Sequence, residues 1–79
     1  MVRKLVAESE LVAHLNEEIH KHDVCADCRF EHVMQLSELD PQGCNWADPN
    51  LRCSGQPASI CLPVARQVVD AARAQFNIK

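Results

Sequence analysis

The chain has no tyrosine, one tryptophan and two phenylalanines among its 79 residues. Stacked aromatics therefore cannot form its core, which must be aliphatic, built from Val, Leu, Ile, Ala and Met. No apolar run approaches the length of a membrane span, so no transmembrane helix is expected. Arg3 and Lys4 are followed too soon by Glu8 and Glu10 for a signal-peptide apolar region, and a secretory leader is not expected either. A basic surplus is also missing. The formal net charge is −3, and Arg3, Lys4, Lys21, Arg29, Arg52, Arg66, Arg73 and Lys79 are scattered along the chain. A general nucleic-acid binder needs an electropositive face for phosphates, and this sequence shows none. The acidic excess is too small to suggest a nucleic-acid mimic. There is no G-x-S-x-G, H-E-x-x-H or P-loop, so the common hydrolase, zinc-peptidase and nucleotide-binding signatures are absent. Internal repeats, linkers and low-complexity stretches are also absent.

What the chain has in abundance is cysteine. Its five thiols are spaced Cys25-x2-Cys28-x15-Cys44-x8-Cys53-x7-Cys61, all in the middle of the sequence. A chain of this length forms one domain, 1–79, with a thin margin between core burial and ordering entropy. Clustered thiols are a common remedy, through disulfides or through a metal. Without a leader the default compartment is the reducing cytoplasm, where metal outranks disulfides, and an odd cysteine count agrees.

Zinc takes four tetrahedral ligands from thiolate and imidazole. Cys25-Ala26-Asp27-Cys28 is the short knuckle that puts two sulfurs on one ion, and Cys44 follows at ribbon distance. Cys53 lies too far on for a standard second knuckle. It can converge with Cys44 only if Asn45–Arg52 loops out, as Asp48-Pro49 permits. The expected ligand set is Cys25, Cys28, Cys44 and Cys53, holding a structural zinc, with His22 and Cys61 as alternates. Each has a plainer reading. His22 suits a helix C-terminus, Cys61 between Ile60 and Leu62 suits a packed thiol, and all five could be buried thiols or disulfides. His14 and His20 read as surface residues and His32 as a half-buried one.

Two segments carry helical periodicity. Leu11, Leu15, Ile19 and His22 share one face, with Ser9 as N-cap and Glu17 four residues before Lys21, predicting a helix over 9–22 after a lead-in of 1–8 that includes an edge strand at Leu5 and Val6. Val64, Val68, Ala72 and Phe76 share another face, with Arg66, Gln67, Asp70 and Arg73 outward. This predicts a helix over 63–76 with Pro63 in its first turn. The Cys-rich region, 23–62, lies between them. Residues 28–36 alternate Phe30, His32, Met34 and Leu36 against Arg29, Glu31, Val33 and Gln35, as in a half-buried strand. Asp40-Pro41-Gln42-Gly43 and Asp48-Pro49-Asn50 are turns, and Leu51-Arg52-Cys53 returns as a second strand. The fold class is α+β: terminal amphipathic helices packed together under a Cys-rich middle with a short β-hairpin. An all-α three-helix arrangement is the alternative.

Three functions fit. The first is a non-enzymatic protein-interaction or regulatory module, an accessory factor or inhibitor of the phage type, cytoplasmic, with a protein partner. Trp46 is its candidate anchor, or else a lid over a small core. The second is a thiol-redox protein using Cys25-x-x-Cys28, although the βαβ pattern that accompanies such motifs is missing. The third is a zinc-finger nucleic-acid binder, which the charge balance disfavours.

Overall fold

A computed structural model describes residues 3–47 and 49–79. Among them the chain forms β1 (Lys4–Val6), α1 (Glu8–Ile19), a single 3-10 turn (Asp23–Cys25), β2 (Cys28–Phe30), β3 (Met34–Gln35), β4 (Trp46–Ala47), β5 (Leu51–Cys53), α2 (Ala58–Gln75) and β6 (Phe76–Ile78). This is a small α+β fold, not a three-helix one. The two helices pack against each other, and three two-stranded ladders surround them.

The apolar spacing of α1 does what it predicts: Leu11, Leu15 and Ile19 are buried. The helix begins one residue earlier than expected, on an Ala7 cap whose N–H donates to the Glu10 carboxylate, 3.4 Å away. It ends at Ile19, so His22 lies beyond it and is exposed. Lys21 pairs with Glu18, not with Glu17. Asn16 and His20 lie on a shared face at i,i+4, and they dock β2. The Asn16 side chain accepts from the Phe30 N–H at 2.6 Å and donates to its carbonyl at 3.0 Å, and the His20 ring lies 2.6 Å from the Cys28 carbonyl oxygen.

The second helix is longer than its periodicity suggested, because it starts on Pro57 rather than at Pro63. Pro63 therefore sits in the second turn, where it cannot donate to the Ser59 carbonyl and where its ring crowds the preceding backbone. Replacing Pro63 with Ala restores that donor at an exposed position. The expected result is a gain of about 2 kcal/mol, after the loosened unfolded chain is set against the restored bond. It would be read as a higher urea midpoint at unchanged slope. The buried stripe runs through Cys61, Ala65 and Ala72, with Val64, Val68 and Val69 partly covered at its sides.

Phe76 leaves the helix in an extended conformation and opens β6, which pairs in parallel with β1, Lys4 opposite Phe76 and Val6 opposite Ile78. Asn45 pairs with β6 on its other side as a strand would. Its side chain accepts from the Ile78 N–H and donates to the Ile78 carbonyl, both at 2.8 Å. Asn77 reciprocates, accepting from the Asn45 N–H at 3.2 Å and donating to the Gly43 carbonyl at 3.1 Å.

The strand expected over 28–36 is two short ones. β2 pairs antiparallel with β5, and β3 with β4. The alternation breaks between them: Phe30 and Val33 are buried, whereas His32 and Met34 are exposed. Asp40-Pro41-Gln42-Gly43 is the predicted turn. The Gly43 N–H donates to the Asp40 carbonyl at 2.9 Å, and Gly43 has φ +87°, a conformation that suits glycine.

Candidate functional site

The cysteines do not converge on an ion. Cys25 is bonded to Cys61 and Cys28 to Cys53, while Cys44 is a free, buried thiol whose Sγ contacts the Trp46 carbonyl at 3.3 Å. Among the described residues no group of three or more His, Cys, Asp or Glu side chains is placed to hold a metal. The expected zinc set of Cys25, Cys28, Cys44 and Cys53, with His22 and Cys61 as alternates, is thus corrected to two disulfides and one packed thiol. The physical reason lies in the register. Cys28 and Cys53 face each other across the β2–β5 ladder. The hydrogen bonds from Ser54 to Asp27 and from Glu31 to Asn50 put them at a non-hydrogen-bonded pair, where opposite side chains approach most closely. The knuckle therefore splits, with Cys28 turning to β5 and Cys25 turning to the start of α2. Cys25 and Cys28 do not bond to each other, so the redox pair expected from the C-x2-C spacing does not form.

Trp46 is fully buried, and its indole N–H donates to the Phe76 carbonyl at 3.0 Å. The side chain expected as a candidate anchor lies in the core. Arg73, expected on the wet face of its helix, reaches inward instead. Its Nε donates to the Trp46 carbonyl at 3.2 Å, and its Nη2 pairs with the Asp40 carboxylate. Asp40 accepts from the Cys44 and Gln42 N–H groups, each at 2.9 Å. These backbone bonds, Cys44's foremost, hold its carboxyl below the ordinary range, with Arg73 and Arg3 adding to the effect. Arg3 in turn donates to the Arg73 carbonyl at 2.7 Å. His14, expected as plain surface, lies edge-on to Phe76 with ring centroids 4.9 Å apart.

Two of the surface concavities bear on function. The first is an open cleft of about 700 Å³ along the outer side of the β2–β5 ladder, lined by His20, Asp27, Arg29, Arg52, Ser54 and both sulfurs' residues, Cys28 and Cys53. Arg29 and Arg52 stand directly opposite each other, an unfavourable like-charge pair. Glu31, two residues along the same face, offsets it, lying 3.6 Å from Arg29 and 3.2 Å from Arg52. These are exposed pairs and contribute little to stability. The second is a groove of about 290 Å³ between α2 and the β4–β5 segment. Phe30 and Ala65 lie at its base, Ala47, Pro49, Leu51, Leu62 and Val69 form its apolar walls, and Arg66, Asp70 and Arg73 form its rim.

No helix among the described residues is long and apolar enough to cross a membrane. The cytoplasmic location was expected because no leader was read, and the preference for metal followed from it; the two bridges instead suit an oxidising compartment. No family model, curated protein or solved structure matches the chain.

Proposed function

We propose that the chain is a disulfide-stapled, non-enzymatic binding module that works in an oxidising compartment and takes an extended apolar segment of a protein partner in the groove between α2 and β5. The observation that carries this reading is the groove itself. Leu62, 38% exposed, and Leu51, only partly covered, come from different elements and border the same opening. Apolar walls with a few charged groups at the edge are the usual make-up of a recognition surface. The charged rim favours a segment carrying an acidic residue, which Arg66 would meet. Accessory or inhibitory roles fit such a module because each needs a rigid surface and no catalytic group. Its two bridges supply the rigidity, so little ordering entropy is lost on binding.

The test is selection of random displayed peptides on the oxidised protein, followed by amide shift mapping with the enriched sequences. Leucine-containing acidic peptides are expected, with shifts centred on Ala47, Leu51, Leu62, Ala65 and Val69. Leu62→Asp should weaken their binding at least about tenfold, the loss of one buried apolar contact plus a desolvated charge, with the thermal midpoint little changed. Shifts that map elsewhere, or a Leu62→Asp variant that binds as well as the parent, would overturn the assignment.

A further inference from the structure

The two disulfides sit three residues apart at their N-terminal ends, yet they differ in what can reach them. Cys25 and Cys61 are both 0% exposed, with the Cys25 sulfur packed 3.7 Å from the Cys61 carbonyl oxygen. Cys28 is equally buried at 1%, but its partner Cys53 is half-buried. Thiol–disulfide exchange requires an incoming thiolate to reach one sulfur along the S–S axis, so access decides which bridge reacts and at which atom.

We propose that Cys28–Cys53 is a thiol-exchange site, attacked at Cys53 by an external thiol, while Cys25–Cys61 is closed to exchange in the folded protein. Two features support the direction of attack. Cys53 is the more exposed half of the bridge. Cys28 becomes the leaving thiolate, and the Gln56 side-chain amide already donates to its sulfur at 3.3 Å. That donor is itself held in place by a 2.6 Å bond to the Val24 carbonyl.

The step balances for a dithiol reductant. Its thiolate forms a bond to the Cys53 sulfur, the S–S electron pair leaves on Cys28, and Cys28 takes a proton from water. The reductant's second thiol, deprotonated, then attacks its own sulfur in the mixed disulfide and expels Cys53 as a thiol. The reductant closes to a cyclic disulfide, having given up two electrons, and the bridge becomes two thiols. A monothiol stops at the mixed disulfide on Cys53 until a second molecule arrives.

The experiment treats the oxidised, folded protein with graded dithiothreitol without denaturant, quenches with iodoacetamide, and maps the alkylated cysteines by peptide mass spectrometry. Cys28 and Cys53 should be labelled first, with Cys25, Cys61 and Cys44 unlabelled. A parallel reaction with reduced glutathione should place the adduct on Cys53. Gln56→Ala should slow reduction about fivefold, the loss of one hydrogen bond to the leaving sulfur, whereas the remote, exposed Glu38→Ala should leave the rate unchanged. Simultaneous loss of both bridges, earlier loss of Cys25–Cys61, an adduct on Cys28, or an unaltered rate in Gln56→Ala would each overturn the proposal. None of these results bears on the groove beside α2, so this site and the peptide-binding reading fail separately.

Discussion

Replacing Cys25 and Cys61 together by alanine is expected to lower the thermal midpoint by roughly 10–25 °C, at about 4–8 °C per kcal/mol for a domain of this size. The two bridges are nested, since residues 28–53 lie inside 25–61. The inner bridge closes a loop of about 26 residues, and the chain-entropy relation gives it about 3.5 kcal/mol. With that bridge in place, the outer one ties only the short arms 25–28 and 53–61. Its effective loop is about a dozen residues, and its contribution falls to about 2.8 kcal/mol. Both bridges together therefore supply about 6 kcal/mol, comparable with the whole stability of many small domains. The single pair of replacements should leave a folded but much weaker protein. Full reduction should unfold it at 37 °C, read as loss of the cooperative thermal transition by circular dichroism. The nesting also sets the cost of opening the Cys28–Cys53 bridge. If Cys28–Cys53 opens while Cys25–Cys61 holds, the outer bridge again spans the long loop, and the loss is only about 2.5 kcal/mol. A fold that persists through selective reduction is what this arithmetic predicts. Unfolding of the double alanine variant at room temperature would show that the Cys25–Cys61 bridge contributes more than loop entropy alone supplies.

How much of this was readable in the sequence depends on the kind of interaction. Apolar periodicity located α1 and its buried face, because Leu11, Leu15 and Ile19 bury against whatever lies opposite. It placed α2 less well. Pro63 looked like a helix start, but the disulfide from Cys61 to Cys25 and packing of Ala65 and Ala72 hold a full turn ahead of it despite the missing hydrogen bond. The turn at Asp40–Gly43 was legible from local chemistry alone. The cysteine pairing was not. Spacing carries no information on cross-strand register, and the β2–β5 register is what sets Cys28 opposite Cys53. The same limit hid Asn16, Asn45, Asn77 and Arg73, polar residues with ordinary surface propensities that here complete the backbone hydrogen bonds of strands too short to satisfy themselves. Only long-range geometry distinguishes them from solvated side chains. The apolar groove was missed for a similar reason. Leu51 and Leu62 belong to different elements, and nothing in either segment announces that both border one opening.

Trp46→Ala is the other large effect expected, a loss of roughly 3–5 kcal/mol, the range for truncating a buried aromatic. At full burial the indole leaves a large void, and its neighbours are poorly able to fill it. Cys44 beside it is held by the Asp40 turn, and Phe76 and Ile78 are fixed by pairing with β1 and with Asn45. A site that cannot collapse lies toward the costly end of that range. Trp46→Phe separates packing from hydrogen bonding. The ring still fills most of the space, but the Phe76 carbonyl loses the indole N–H, a desolvated acceptor left without its donor, at about 1–3 kcal/mol. The strand pairing of β6 should feel this first, because that carbonyl sits where α2 gives way to β6. Hydrogen exchange in Trp46→Phe is therefore expected to speed up at Asn77, Ile78 and Lys79 before the α1 amides respond. Uniform acceleration across the domain would mean that the indole N–H stabilises the core as a whole and not the β1–β6 ladder. A Trp46→Ala variant that kept its full stability would mean that the tryptophan is dispensable to folding.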